Sequence, residues 1–479
     1  MKKIKRILSL LMAFLLCASI LVGCGKDDDD NNDDGTRVVD TSVAEDGSKL
    51  NLPSLDYDGA EVHVVVRTDV LQFFEPTDEF GDVIKNGVFE RNTMVEELLD
   101  VKLVHSHMEG TAKGADAFCN AIRTSAMTGG PYDIVSPTQS FGNTLVAEGI
   151  YVDLLGLEYI DTNENYWLDG YNEQAMINSK LYTAISDYDL SAIANIQVIY
   201  MNKQYLEIFG DYIENPYTLV KEGKWTLEKM IEICKQVTVD VDNNGNYDDN
   251  DQYGFTAAAY HVPGFATALG VNLVTKDGDD YYFTVADDRS IDAFDRLKTA
   301  FDGNYFRYIL NGVQCPSFDS GKAMFNTGNV GSATIYKTTS LDYGILIYPK
   351  LNEEDEYRSG CAGLPILAIT TGLSADKLER ASAALQALSY YSHTIAVPAY
   401  FETCLKGQAA QDLESYEMLE RIRVSGFYDI GLLYSRSLTD LYHAYRLAYE
   451  KGVNIATWWA GEETRLNAAL NTFLSDFQQ

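Results

Sequence analysis

From Glu61 onward, short apolar runs alternate with stretches of helical period. Val62-His63-Val64-Val65-Val66 reads as a strand, and Asn86 to Leu99 as a helix with Val88, Val95, Leu98 and Leu99 on one side. Val101 to His107 is again strand-like, and Ala115 to Met127 is a helix stopped by Gly129-Gly130-Pro131. Tyr132-Asp133-Ile134-Val135 is a strand running into a polar loop. This β-α-β-α order predicts a mostly parallel sheet with helices on both faces. In such a sheet ligands sit beyond the carboxyl ends of the strands, which directs attention to loops 67–74, 136–141 and 186–190. Further along, residues 375–391 (ADKLERASAALQALSYY) form a strongly amphipathic helix, and 410–479 is largely helical around Trp458-Trp459.

The first residues break this rhythm. Lys2, Lys3, Lys5 and Arg6 precede an apolar stretch from Ile7 to Ile20, which has the length of a signal-peptide core and is short for a membrane span. Leu21-Val22-Gly23-Cys24 then resembles the lipobox of bacterial lipoproteins, which makes 1–23 a signal segment and Cys24 the lipidated residue. Residues 25–52 are polar, acidic and without period. With Cys24 they make 24–56 an acidic tether, whose 28 aperiodic residues reach roughly 30 Å as a flexible coil. Together these features place the protein at the outer face of a cell membrane.

Charge narrows the partners. The chain carries −34 over 479 residues, which excludes nucleic acid held through phosphates. Thirty-two tyrosines offer flat apolar faces with polar tips, suited to a core and to gripping polar ligands. Beyond Cys17 and Cys24, the five scattered cysteines Cys119, Cys234, Cys315, Cys361 and Cys404 form neither a disulfide framework nor a zinc pattern.

Residues 240–251 read DVDNNGNYDDND. Laid on a twelve-residue calcium loop, Asp240, Asp242 and Asn244 take positions one, three and five, and Gly245 takes the sharp turn. Asn246 offers its carbonyl, with Asp248 and Asp251 at positions nine and twelve. Oxygen-only ligands favour Ca²⁺ over softer metals. Asp at position twelve is shorter than the usual Glu. The loop leaves a helix beginning at Trp225-Thr226 and enters the strand-like 252–256, with no second loop of the kind in the chain. That context predicts a structural clamp, against the plainer reading of a solvated acidic turn.

Other motifs carry less. Ser374-Ala375-Asp376-Lys377 matches an acyl-enzyme motif without its partner motifs, and reads as a helix cap. His105 and His107 share a strand face with no third metal ligand in view.

Several stretches in order resemble one family, the extracellular solute-binding proteins (family 1) that serve ABC importers, of the maltose-binding-protein type. They are Glu90-Arg91-Asn92 with Val95-Glu96-Glu97, Tyr132-Asp133-Ile134 with Glu148-Gly149-Ile150 and Asp153-Leu154, and Tyr200-Met201-Asn202-Lys203. Gly223-Lys224-Trp225-Thr226 with Asp251-Gln252-Tyr253-Gly254, Phe318 to Met324 (FDSGKAM), and Tyr343-Gly344 through Tyr348-Pro349-Lys350 follow. The resemblance covers roughly residues 57–479. It implies an α/β fold of two lobes, each a mostly parallel sheet flanked by helices, joined by crossovers near 188–195, 360–365 and 395–400. Lobe 1 is then 57–190 with a return at 362–397. Lobe 2 is 191–361 with a C-terminal helical part at 398–479. It further implies a monomer, not an enzyme, that captures a small polar solute such as a sugar between the lobes and delivers it to permease subunits. A solute-sensing receptor and a secreted glycoside hydrolase are the alternatives. Loop position within that fold points to Arg67, Phe74, Ser136, Gln139, Asp187, Tyr188, Tyr260, Tyr336 and Trp458 as ligand contacts.

Overall fold

The computed structural model describes residues 44, 46–76, 83–277, 280–309, 316–336, 341–361, 363–405 and 413–477. The signal segment, Cys24, most of the acidic tether and Cys315 lie outside the described residues, as does the side chain of Cys404.

The first sheet is built from β1 (Ala60–Arg67), β2 (Val101–Met108) and β3 (Ile134–Ser136). β1 pairs in parallel with β2 from Ala60↔Val101 to Arg67↔Met108, and with β3 from Val64↔Ile134 to Val66↔Ser136. Val62, Val64, Val65 and Val66 are all fully buried, as a strand covered on both faces requires. The covering helices are Val83–Leu99, Ala115–Thr128 and Ala375–Tyr391. On Val83–Leu99 the buried positions Ile84, Gly87, Val88, Arg91, Asn92, Val95 and Leu99 repeat at three and four, which is one helical face. Ala375–Tyr391 opens on Ser374, whose hydroxyl accepts the Lys377 amide. The S-x-x-K motif is therefore a cap.

The second sheet comprises β4 (Gln197–Asn202), β5 (Tyr253–Ala258), β8 (Phe306–Ile309), β9 (Ala323–Asn329) and β10 (Tyr343–Leu346), with β9 at its centre. A separate hairpin pairs β6 (Val274–Asp277) with β7 (Asp280–Phe283). The strand order is β10-β4-β9-β5-β8. β5 runs parallel to β8 and β9, whereas β4 runs antiparallel to both β9 and β10. This sheet is thus mixed where a mostly parallel one was expected. β4 is the strand by which the chain enters the lobe, and its direction opposes that of both neighbours. The core here is aromatic: Tyr200, Tyr336 and Tyr343 pack with centroids 4.7 to 5.6 Å apart. Trp225 is fully buried and donates its indole N–H to the Ile347 carbonyl at 2.9 Å.

A last strand, β11 (Ala368–Ile369), returns to the first sheet, antiparallel to β3. The chain therefore crosses between the sheets before β4 and again before β11. These two crossovers run beside each other, joined by the bridges Ala184↔Leu367 and Ile196↔Cys361. A third passage leaves the end of Ala375–Tyr391 through the π-helical segment Ser392–Ala396 into helix Val397–Leu405.

A buried guanidinium ties the first lobe to these passages. Arg91 donates to the carbonyls of Phe73 (3.1 Å), Tyr188 (3.3 Å) and Phe74 (3.3 Å) and to the Ser392 hydroxyl (3.3 Å). It also lies 4.9 Å over the Tyr188 ring. Burial lowers its pKa to about 10, so it stays charged at neutral pH.

Candidate functional site

A parallel sheet brings the ends of its strands to one edge, and here those ends open into a cavity of about 530 Å³. From the first sheet come Arg67 and Asp69 after β1, Thr111 and Ala112 after β2, and Thr138 to Phe141 after β3. Tyr260, two residues beyond β5, comes from the second sheet. Asn195 and Gly363 come from the paired crossovers, where the Asn195 amide donates to the Gly363 carbonyl at 2.7 Å. The remaining wall is Ser435, Arg436, Asp440, Tyr442 and His443. The cavity is therefore built from both lobes and from the segments that join them.

Its floor is polar and buried. Arg67 is 3% exposed and pairs through Nε with Asp69 at 3.1 Å. Its stem lies against Gly110, where a Cβ would come within 2.5 Å of Arg67 Cγ. Glycine at 110 is what leaves room for the Arg67 stem. Arg67 Nη1, Gln139 Oε1 and His443 Nδ1 are buried and have no hydrogen-bond partner among the described residues. Buried polar atoms are ordinarily satisfied, so these three mark where a polar ligand can bond. Burial, with Arg446 nearby, lowers His443 to about 4, so the ring is neutral at pH 7. Arg436 lies 5.3 Å over the Phe141 ring and 3.7 Å from Asp440. With each arginine beside an aspartate and the imidazole neutral, the lining carries little net charge.

The wall from Ser435 to His443 is held in an unusual backbone. Thr439 and Asp440 both take left-handed angles, φ 56° and 61°. For a β-branched residue this is a genuine outlier of the kind stored at functional sites. Buried Leu438 and Leu441 pin the segment on either side.

Of the nine residues expected at the ligand, Arg67, Gln139 and Tyr260 line this cavity. The other six do not. Phe74 is fully buried and packs edge-on to Tyr188 at 5.0 Å. Tyr188 bonds His105 Nε2 through its hydroxyl at 3.1 Å, which also engages one of the two strand histidines. Ser136 is fully buried and donates to Asp189 at 2.6 Å. Asp187 faces His393 and Arg423. Tyr336 belongs to the aromatic core and receives the Asn326 amide at 3.0 Å. Trp458 is 5% exposed within helix Ile455–Asp476. Asp69, Thr138, Ser140 and Phe141 were within the loops singled out by strand order. Asn195 lay within the crossover expected near 188–195 but was not singled out, and the 435–443 wall carried no signal, because its stretch read only as helical.

The acidic loop forms its own arrangement. Carboxylate oxygens of Asp240, Asp242 and Asp251 lie within 4.8 Å of one another. Gly245 takes φ 76°, and its amide donates to Asp240 Oδ2 at 2.8 Å. Asp251 is buried and receives the Val241 and Asp248 amides, both at 2.8 Å. Asn244 Oδ1 receives the Asn246 amide at 2.6 Å, and Asp248 stands outside the group of three. Helix Leu227–Val237 enters and β5 leaves, as the sequence pattern indicated.

No family model and no curated protein matches the sequence. Solved structures do match the fold. A cyclic α-maltosyl-1,6-maltose binding protein from Arthrobacter globiformis aligns over 86% of this chain and 100% of its own at TM-score 0.61 and 14% identity. An ABC substrate-binding protein from Listeria monocytogenes, in complex with cycloalternan, aligns over the same shares at TM-score 0.56 and 10% identity. A family 1 extracellular solute-binding protein from Bifidobacterium longum subsp. infantis covers 87% of this chain and all of its own, at TM-score 0.55 and 15% identity. The chain has the two-lobed substrate-binding-protein fold that these binding proteins share.

Proposed function

We propose that this protein captures a short, uncharged carbohydrate in the cavity between its lobes and delivers it to an ABC permease, from a lipid anchor at Cys24 on the outer face of the membrane. The observation that carries this reading is the polar lining contributed by both lobes, with Arg67 Nη1, Gln139 Oε1 and His443 Nδ1 buried and without a partner among the described residues. Hydroxyls of a sugar supply both donors and acceptors to such atoms, and Phe141, Tyr260 and Tyr442 offer rings for its apolar faces. The near-neutral lining argues against an acidic solute. Closure of the lobes over the solute needs only the crossovers to bend. Nothing in this role calls for bond chemistry. A thermal-shift screen of mono- and oligosaccharides tests it. One or more should stabilise the protein by about 2 to 4 kcal/mol at saturating excess, through preferential binding to the folded state. A complete absence of shifts would remove the carbohydrate assignment.

The Asp240–Asp251 loop fits a Ca²⁺ ion. Three carboxylates brought within 4.8 Å repel one another strongly, and a hard dication relieves that repulsion. Asp240, Asp242, Asn244, Asp251 and the Asn246 carbonyl are the ligands we assign, with Asp248 acting through water. The ion supplies charge neutralisation within lobe 2, at a distance from the cavity lining, and so acts on stability.

A further inference from the structure

Four charged side chains meet at the hinge, and none of them lines the cavity. His393, in the π-helical segment, places Nδ1 2.7 Å from Asp187 Oδ2 and Nε2 2.8 Å from Asp46 Oδ2. Arg423, from helix Leu413–Val424, puts Nη2 2.7 Å from the same Asp187 oxygen and 3.1 Å from His393 Nδ1. Asp187 is on the first crossover and Asp46 near the start of the described chain. Two passages of the hinge, helix Leu413–Val424 and the N-terminal segment thus converge on one imidazole.

The ring's protonation state follows from that geometry. A neutral imidazole has one N–H and one lone pair, so it satisfies only one of two carboxylates. Imidazolium satisfies both. The neutral tautomer with its proton on Nε2 accepts from Arg423 at Nδ1, but it then sets a lone pair 2.7 Å from the Asp187 oxygen. The tautomer with its proton on Nδ1 keeps Asp187 and sets a lone pair against Asp46. Asp187 is 1% exposed and Asp46 41%, so water replaces the contact to Asp46 far more readily.

The N-terminal segment is held in two places. Downstream, Ser48, Leu50 and Leu52 are buried, the Lys49 amide donates to Glu164 at 2.8 Å, and the Tyr166 hydroxyl donates to the Lys49 carbonyl at 2.9 Å. Upstream, Asp46 touches its neighbour Ser48, Asn165 Nδ2 at 3.4 Å, and His393. The imidazole makes the strong upstream contact.

We propose that His393 is a proton-operated latch that fastens the N-terminal segment to the hinge: doubly protonated it bridges Asp46 to Asp187, and neutral it keeps Asp187 and releases Asp46. The charged and titratable groups facing it are Asp46 from the N-terminal segment, Asp187 from the crossover, Arg423 and Glu420 from helix Leu413–Val424, the Tyr166 ring at 6.3 Å, and Tyr390 and Tyr391 from the preceding helix. Burial alone lowers the imidazole pKa. The bonds and charge of Asp187, then Asp46, outweigh burial and the Arg423 charge, and raise it. A groove of about 680 Å³, lined by Asp46, His393, Glu420 and Arg423, gives solvent protons access to the ring. The latch is therefore fully closed below the ordinary histidine pKa and opens as pH rises through the raised one. Asp46 and its described neighbours are fastened to the hinge in one state and released in the other.

The test is a ring-¹³C NMR titration of the full-length protein, with His393 assigned by His393→Gln among the six histidines. His393 should titrate above about 6.5, and Asp46→Asn should lower that value by about half a unit or more. Asp46→Asn leaves the buried Asp187–Arg423 pair intact, so folding is not at issue. Hydrogen exchange of the Ala44 and Gly47 amides, compared between the two proteins at one pH, reads release of the segment. At pH 6 these amides should exchange about threefold more slowly in the wild type than in Asp46→Asn, and at a pH above the ring's pKa the two should exchange alike. A His393 pKa at or below 6.5, a pKa unmoved by Asp46→Asn, or equal exchange at pH 6 would overturn the latch. None of these readouts depends on the sugar.

Discussion

The acidic loop and the hinge both concentrate charge, and they resolve it in opposite ways. In Asp240–Asp251 the three clustered carboxylates bond amides no more than ten residues away, and among the described residues Arg307 and Lys322 reach the loop only at Asp249, outside the group. At the hinge, Asp187 meets His393 and Arg423, 206 and 236 residues away, and the charges compensate within the fold. On the calcium proposal, the loop leaves its balance to an ion from solution. The buried hinge carries its own counter-charges, because an unpaired ion there is costly. A local acidic excess is thus a request for a ligand, whereas a remote, matched cluster is part of the architecture.

The largest expected effect breaks the hinge side of this contrast. Asp187→Ala leaves Arg423 and His393 facing each other at 3.1 Å without their shared anion. It should cost about 3–5 kcal/mol in denaturant unfolding, since one partner of a buried cluster is removed. A cost below about 1 kcal/mol would mean that the cluster is hydrated, and the contrast would fail there.

Next comes the loop. Chelation by EDTA should lower the melting temperature, equivalent to about 3 kcal/mol if calcium was present at a hundredfold excess over its Kd. Asp242→Ala should abolish the difference between chelated and calcium-loaded protein. An unchanged melting curve would reduce the loop to an acidic turn closed by its own Asx bonds.

The smallest effect is the upstream contact of the hinge cluster. Asp46 is 41% exposed, so Asp46→Asn should cost less than about 1 kcal/mol. Burial alone raises the Asp46 carboxyl, but Ser48 and His393 hold it well below the usual range, so its contribution is present above about pH 4. The raised His393 sets the upper limit, and the cost should vanish as pH rises through that pKa. Unfolding midpoints at pH 5.5 and 8.5 check this. An equal cost at both values would remove protonation from the account.

The same contrast explains what could be read in the chain. The β-α-β-α order from Glu61 gave β1, β2 and β3 and their helices within a few residues, because period and glycine stops are local. The loop geometry of Gly245 and Asp240 was readable for the same reason. Strand order directed attention to the turns after β1 and β3, where Arg67, Asp69, Gln139 and Phe141 do line the cavity. It did not separate Arg67 from Phe74, because which side of a turn faces the cleft depends on packing against Tyr188. The 435–443 wall was illegible: left-handed Thr439 and Asp440 have none of the glycine that announces such a turn. The antiparallel course of β4 was hidden as well, since strand direction is settled by partners more than 100 residues away.

The central claim is that the cavity floored by Arg67 holds a sugar. Its most direct test is calorimetric titration of the best stabilising saccharide into wild type and into Arg67→Met, which keeps the buried stem and removes the donors. The account predicts saturable binding at one site per chain, weakened about tenfold or more by the substitution, as expected when a hydrogen bond from a charged donor is lost. Binding that Arg67→Met leaves unchanged would place the ligand elsewhere and contradict the account.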